Sequence, residues 1–182
     1  MSKKLSAFPC VPRRIISYFG EINFETAGEF LEKARQLDQE NNDPITILID
    51  LNGGIVRSSR AIFETLTTVI KSPIQTVITG SAESCGVIIF LSGQRRWISP
   101  GARMLFHPIT TGTTRGLNIG DLKHYIRELD RDSSWMSRLV CRKSRLKKSK
   151  VKKLIFEPGE KVLSEKEILK SKLAHGYWPK QR

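Results

Sequence analysis

The sequence lacks any apolar run of the roughly 18–20 residues needed to span a bilayer. Its longest candidate, around Val87–Leu91, is far too short. A transmembrane helix is therefore excluded. The opening stretch, Met1–Cys10, carries two lysines but no apolar core and no small-residue cleavage site, so no secretory signal is expected. Cysteine is scarce, with Cys10, Cys85 and Cys141 scattered along the chain. An odd, dispersed set excludes a disulfide framework and a paired-cysteine metal site, and points to a reducing compartment. Acidic residues are also in deficit. Asp and Glu number 18 against 31 Lys and Arg, a formal charge of +13.

What is present fits one folded domain over residues 1–182, since 39% of residues are apolar and 8% aromatic. The basic excess is uneven. Residues 1–141 hold 17 basic and 14 acidic residues, whereas residues 142–182 hold 14 and 4. The densest run is Arg142–Lys153, with eight basic residues in twelve. Such a run attracts anionic surfaces in a salt-sensitive way. It carries no interleaved aromatics for base stacking, which weighs against nucleic acid and leaves a solvated face as the plain reading.

Hydrophobic patterning gives the order of elements. Arg14–Phe19 reads as a β-branched and aromatic strand, ended by Gly20. Thr26 and Glu29 have capping-box spacing, and Ala27, Phe30, Leu31, Ala34 and Leu37 follow at helical period. Ile45–Asp50 is a nearly continuous apolar strand of the kind buried on both faces, running into a turn at Gly53-Gly54. Ser58 or Ser59 can cap a second helix, which Pro73 closes. Ile74–Thr79 is a third strand, broken by Gly80-Ser81, and Ser84 opens an apolar helix. Arg96–Ser99 and Arg103–His107 read as short strands, and Asp121–Cys141 as a long amphipathic helix. A β-α-β-α-β order calls for a parallel sheet with right-handed crossovers.

In such a sheet, the carboxyl ends of the strands line one edge, where ligands bind. Gly53-Gly54, Ser84 and His107 each follow or end a strand there. A serine at a helix start sits among unpaired N–H groups that stabilise negative charge, but it needs a base to become a nucleophile. His107 can be that base if it reaches Ser84. Taken singly, Ser84 is an ordinary N-cap and His107 an ordinary strand-end histidine. Cys85 could be read as a thiol nucleophile at a helix start. His124 and His175 have no such setting and read as surface residues.

Gly53-Gly54, the block Gly80-Ser81-Ala82-Glu83-Ser84-Cys85-Gly86, and the block Ala102-Arg103-Met104-Leu105-Phe106-His107-Pro108 resemble, in order and spacing, the proteolytic subunit of the Clp protease. The resemblance runs from about Arg14 to His175. It implies an α/β fold of the ClpP/crotonase type, a repeated β-β-α spiral of sheet and helix with a long helical handle. It implies a Ser-His-acid triad, with Ser84 as nucleophile and His107 as general base, and an oxyanion hole from the N–H groups of Gly53 and Cys85. The family places its acid three residues before a Leu-Ser pair. Here that pair is Leu163-Ser164, and the position falls on Glu160, where the family has aspartate. Ser-His-Glu variants of the triad exist.

The sequence also departs from the family. Leu51-Asn52 precedes the glycines in place of Ser-Pro, Cys85 replaces a methionine, and Lys172 replaces a late glycine. The segment before Arg14 is short for the family's axial-pore loops. The resemblance implies a serine endopeptidase that cleaves unfolded polypeptides inside face-to-face heptameric rings, a tetradecamer, fed by an AAA+ unfoldase of the Clp type. The chain itself then needs no metal or organic cofactor, because the partner ATPase uses the ATP. A cytoplasmic or plastid-stromal location follows, with no membrane partner. Three alternatives stay open: a non-catalytic ring subunit beside an active paralogue, a crotonase-like acyl-CoA enzyme, and a nucleic-acid module centred on Arg142–Lys153.

Overall fold

A computed structural model describes residues 14–112 and 116–178. The N-terminal segment 1–13, with Cys10, and residues 113–115 and 179–182 lie outside them. The element order is β1 (Ile15–Ile22), α1 (Phe24–Glu40), β2 (Ile45–Gly54), α2 (Val56–Glu64) with a π-helical extension (Thr65–Val69), β3 (Ile74–Glu83) and α3 (Gly86–Phe90). It continues with β4 (Arg95–Ile98), β5 (Arg103–Phe106), α4 (Ile119–Lys143), α5 (Lys148–Phe156), β6 (Lys161–Leu163), α6 (Glu165–Lys170) and β7 (Gly176–Tyr177).

The strands form one seven-stranded sheet, with β1, β2, β3, β4 and β7 side by side and parallel. The expected parallel sheet is thus present; helices α1 and α3 pack against it, and α2 packs against both of them. The β2 run Ile45, Ile47, Ile49 and Leu51 is fully buried, as are Ile74, Val77 and Ile78 of β3. Apolar burial at about 25 cal/mol per Å² is the main favourable term holding the layers together.

The strands run further than their sequence limits suggest, and each extension has a local cause. Gly20 does not end β1. It takes φ +89° beside a register shift at Gly20/Glu21, and pairing resumes through Ile22. Gly53-Gly54 is not a free turn but the paired end of β2. Gly80-Ser81 does not break β3. The ladder bulges there, and the Asp50 carboxylate accepts the Ser81 N–H at 2.8 Å in place of a main-chain carbonyl. Past the bulge β3 leaves β4, and Ser81–Glu83 pair with Arg103–Leu105 of β5. The strand therefore forks, with one half serving β4 and the other β5. β6 then adds antiparallel to β5.

Two expected caps move. The cap of α1 is Asn23, whose side chain accepts the Thr26 N–H while Thr26 Oγ1 accepts the Asn23 N–H. Thr26 is thus the N3 residue that closes the box and not the N-cap that opens it. Neither Ser58 nor Ser59 caps α2, which starts earlier, at Val56. Both serines are buried inside it, and Ser59 Oγ donates to the Ile55 carbonyl.

The chain end is tied back by Arg96. Its buried guanidinium donates to the carbonyls of Leu173, Gly93, Lys143 and Lys172 at 2.6–3.3 Å. Two of these acceptors belong to the turn that closes α6. There the Lys172 N–H donates to Leu169 O and the Leu173 N–H to Ile168 O, the bond pair of a Schellman stop. That stop favours glycine at its left-handed position, yet the residue is Lys172, at φ +58°. The left-handed region costs an L-residue roughly 1–2 kcal/mol, partly offset in glycine by chain entropy. Lys172→Gly is expected to raise stability by about 1 kcal/mol in urea denaturation. A lowered midpoint would show that the lysine side chain contributes more than its strain costs.

Candidate active site

Ser84 occupies the turn between the forked end of β3 and α3, at φ +50°, and it is half-buried. A serine held in the left-handed region on a strand-to-helix turn presents its hydroxyl at the sheet edge. Two main-chain bonds hold the turn. The Ser84 N–H donates to Leu105 O at 2.7 Å, and the Val87 N–H donates to Ser84 O at 3.2 Å. Ser84 therefore does not act as a simple N-cap, since α3 begins at Gly86 without a side-chain cap.

The glycines are required by contact. A Cβ on Gly53 would lie 2.9 Å from Ser84 Cβ, 3.1 Å from the Glu83 carbonyl oxygen and 3.5 Å from Ser84 Oγ, and its φ is +96°. The Gly53 backbone thus lies directly against the Ser84 side chain. A Cβ on Gly54 would meet the Ile22 backbone. Gly86 allows α3 to approach β2, where a Cβ would meet Leu51 Cβ at 2.9 Å. At the start of α3 the N–H groups of Val87 and Ile88 donate to the carbonyls of Ser84 and Cys85. Cys85, next to Ser84, is buried. Burial pushes its thiol up, against the pull of hydrogen bonding to Ser59 and Ser84, so the thiolate is disfavoured.

His107 follows β5 immediately, two residues beyond the Leu105 carbonyl that holds Ser84. It is half-buried, and its Nδ1 lies 2.7 Å from the Pro108 carbonyl oxygen. A carbonyl can only accept, so Nδ1 carries the proton and Nε2 keeps its lone pair. No hydrogen bond joins Ser84 to His107 among the described residues.

Glu160 is exposed and precedes β6. The antiparallel register pairs Leu105 with Val162 and Phe106 with Lys161, so His107 just after β5 and Glu160 just before β6 both adjoin the last pair. The two side chains are not hydrogen-bonded. The loop before β6 instead wraps the Lys161 ammonium, which donates to the carbonyls of Glu157, Pro158 and Gly159. The site therefore gathers Gly53, Ser84, Cys85 and His107 at one edge, with Glu160 across the ladder. His124 and His175 lie elsewhere, both exposed, and His175 Nδ1 accepts the Arg96 N–H at 3.0 Å.

Sequence reasoning missed the two carbonyls that do the holding, Leu105 on the serine turn and Pro108 on the imidazole. Backbone acceptors leave no residue signature, although the His-Pro pair restricts the backbone just there. Two clefts lie between α2 and α4, one of about 590 Å³ lined by Arg57, Arg60, Glu128 and Asp132, the other of about 1200 Å³. None of the gathered side chains lines either cleft.

Gly53→Ala is expected to cost about 2 kcal/mol or more, read from the urea midpoint, because both its φ and its contact with Ser84 must change. An unaltered midpoint would show that the glycine does not hold the turn.

The fold and this edge define an α/β protein with a left-handed serine on a strand-to-helix turn, a glycine against it and a histidine on the adjoining strand. Comparison with known proteins places it further. The family model described as Clp protease matches residues 8–171, and the chain belongs to that family. Similar proteins include the ATP-dependent Clp protease proteolytic subunits of Streptococcus mutans and Streptococcus agalactiae, 35% and 33% identical over 112 residues. The aligned stretch covers 60% of this chain and 57% of each of them, so the chain spans little more than half the length of the curated relatives it matches. ClpP1 from Listeria monocytogenes has the same fold, with 24% identity, 92% of each chain covered and a TM-score of 0.78. A single-substitution variant of that protein gives 0.79.

Proposed function

We propose that the chain is a serine endopeptidase subunit of a Clp-type protease. The observation that carries this reading is the turn itself. Ser84 is strained, reachable by solvent, packed on Gly53, and bonded through its own N–H to β5, the strand that His107 follows.

The steps follow from those atoms. Ser84 Oγ attacks the peptide carbonyl carbon while His107 Nε2 takes the hydroxyl proton. The N–H groups of Gly53 and Cys85 receive the oxyanion. Loss of one such donor typically costs about 10²–10³ in rate. His107 then returns the proton to the leaving amine, and water enters by the same path to release the acyl group. Pro108 O fixes the imidazole tautomer, which an acid fixes in the usual triad. Glu160 adds negative charge from across the ladder when the imidazolium forms.

Assembly into paired heptameric rings, with an AAA+ unfoldase feeding unfolded polypeptide, is proposed on family grounds and on one surface. The apolar stripe of α4 divides. Met136, Leu139 and Val140 are buried, while Ile119, Leu122 and Ile126 stand 72%, 45% and 66% exposed. An exposed apolar stripe on one half of a 25-residue helix suits a second copy. Ile126→Glu is expected to shift the sedimenting species towards the monomer. Unchanged sedimentation would remove α4 from the interface.

A specific observation also supports a second reading, a non-catalytic ring subunit. His107 Nδ1 is bonded to a carbonyl and not to a carboxylate. A fluorophosphonate probe separates the two. The peptidase reading expects covalent labelling of Ser84, lost in Ser84→Ala and in His107→Ala. An unlabelled Ser84 in folded protein would favour the non-catalytic subunit. Turnover of an unfolded polypeptide should fall about 10²–10⁴-fold in His107→Ala, and less than tenfold in Glu160→Ala. Equal losses would make Glu160 the essential orienting acid.

A further inference from the structure

The larger cleft, about 1200 Å³, is bounded by α2 with its π-helical extension, the second half of α4, and α5. It exceeds the roughly 300–1,000 Å³ of small-molecule pockets. Two helical rows face each other across it. The α4 row presents Trp135, Arg138 and Arg142, and the α5 row presents Lys148, Lys152 and Phe156. Each row carries two cations four residues apart, about 6 Å along the helix axis, and one aromatic. Phe63 adds a third aromatic, and Lys143 a fifth cation. Glu64 is the lone acid on the lining.

These cations are uncompensated. The ion pairs among the described residues lie elsewhere, at Arg14, Arg103 and Arg131. Burial and the neighbouring Arg96 and Arg142 charges hold the Lys143 ammonium below its ordinary value, so it gains from an incoming anion. The linear basic run carries no stacking aromatics, but the fold brings Phe63 and Trp135 to it from other elements.

The aromatics decide between two anionic partners. Trp135 already has the Arg60 guanidinium 5.1 Å over its ring and the Phe63 ring edge-on at 5.8 Å. Phe63 itself is buried, so the lining offers no row of open ring faces on which successive bases could stack. A single apolar side chain needs no such row and can rest against the half-buried Trp135 and the 37% exposed Phe156. The same groove on a second copy carries the same five cations, so two such grooves would repel each other.

We propose that this groove docks an acidic amphipathic segment of a partner polypeptide. Its carboxylates, spaced one helical turn apart, meet the two cation rows, and its apolar side chains meet Trp135 and Phe156. The site is separate from the Ser84 edge and does not depend on peptide cleavage.

The test uses fluorescence anisotropy on the full chain. The probe is a fluorescein-labelled helical peptide of about 14 residues, with Glu and Leu at helical spacing. Its counterpart carries Lys for Glu, and an oligo-dT of similar length competes. Saturable binding of the Glu peptide that weakens with salt is expected, with none of the Lys peptide. Arg138→Glu with Lys148→Glu should lower the affinity at least tenfold. Arg142→Gln with Lys152→Gln, a milder pair, should lower it in the same direction, and circular dichroism checks that both variants fold. Absence of Glu-peptide binding, or equal binding by both folded variants, would overturn the proposal. So would oligo-dT that binds more tightly and displaces the peptide, since the groove would then be a nucleic-acid site.

Discussion

One main-chain hydrogen bond organises the candidate site. The Ser84 N–H donates to the Leu105 carbonyl at 2.7 Å, closing the last rung between β3 and β5. That rung exists because β3 changes partner halfway along. Its first half is held by β4, and the Asp50 carboxylate bridges the bulge that lets its second half turn to β5. Without the fork, Ser84 and His107 would end strands that do not touch. With it, the serine turn and the histidine belong to adjoining strands, and the strain at Ser84 is opposed by a ladder on one side and Gly53 on the other.

The same strand organises the acid side of the site. β6 adds antiparallel to β5, so the chain returns from α5 through the Pro158-Gly159 loop, and Glu160 then stands just before the Lys161 that pairs with Phe106. The Lys161 ammonium stabilises that loop by collecting its carbonyls. A carbonyl from Pro108 meanwhile occupies the nitrogen at which a triad acid would act. In the proposed mechanism, tautomer control and charge stabilisation, usually combined in one carboxylate, are divided between two groups.

Much of the fold was legible because its strands are long β-branched runs buried on both faces. Ile45–Asp50 and Ile74–Thr79 can hardly be anything else. The extensions beyond them were not legible, because a bulge is set by a side chain from another strand, as Asp50 shows. The cap of α1 was misplaced by one box because Thr26 can play either part in it, and only the backbone at Asn23 decides. Ser58 and Ser59 look like caps by type but fall inside a helix whose start is fixed by the end of β2. At the site, Ser84, His107 and both glycines could be read from residue type and spacing. The carbonyls of Leu105 and Pro108 could not. The groove along α4 and α5 was half legible: its charge is a run in the sequence, while its aromatics arrive from distant segments. Lys172 is the converse case. The sequence shows the departure from glycine, and the structure shows the left-handed backbone that makes it costly.

The central claim is that one hydroxyl, one imidazole and two main-chain N–H groups form a single reacting centre. A crystal structure of the chain acylated or phosphonylated at Ser84 tests it most directly. The account predicts the adduct oxygen within about 3 Å of both the Gly53 and Cys85 nitrogens, with His107 Nε2 turned towards Ser84 Oγ. An adduct oxygen facing solvent, with the imidazole still directed away from Ser84, would contradict it.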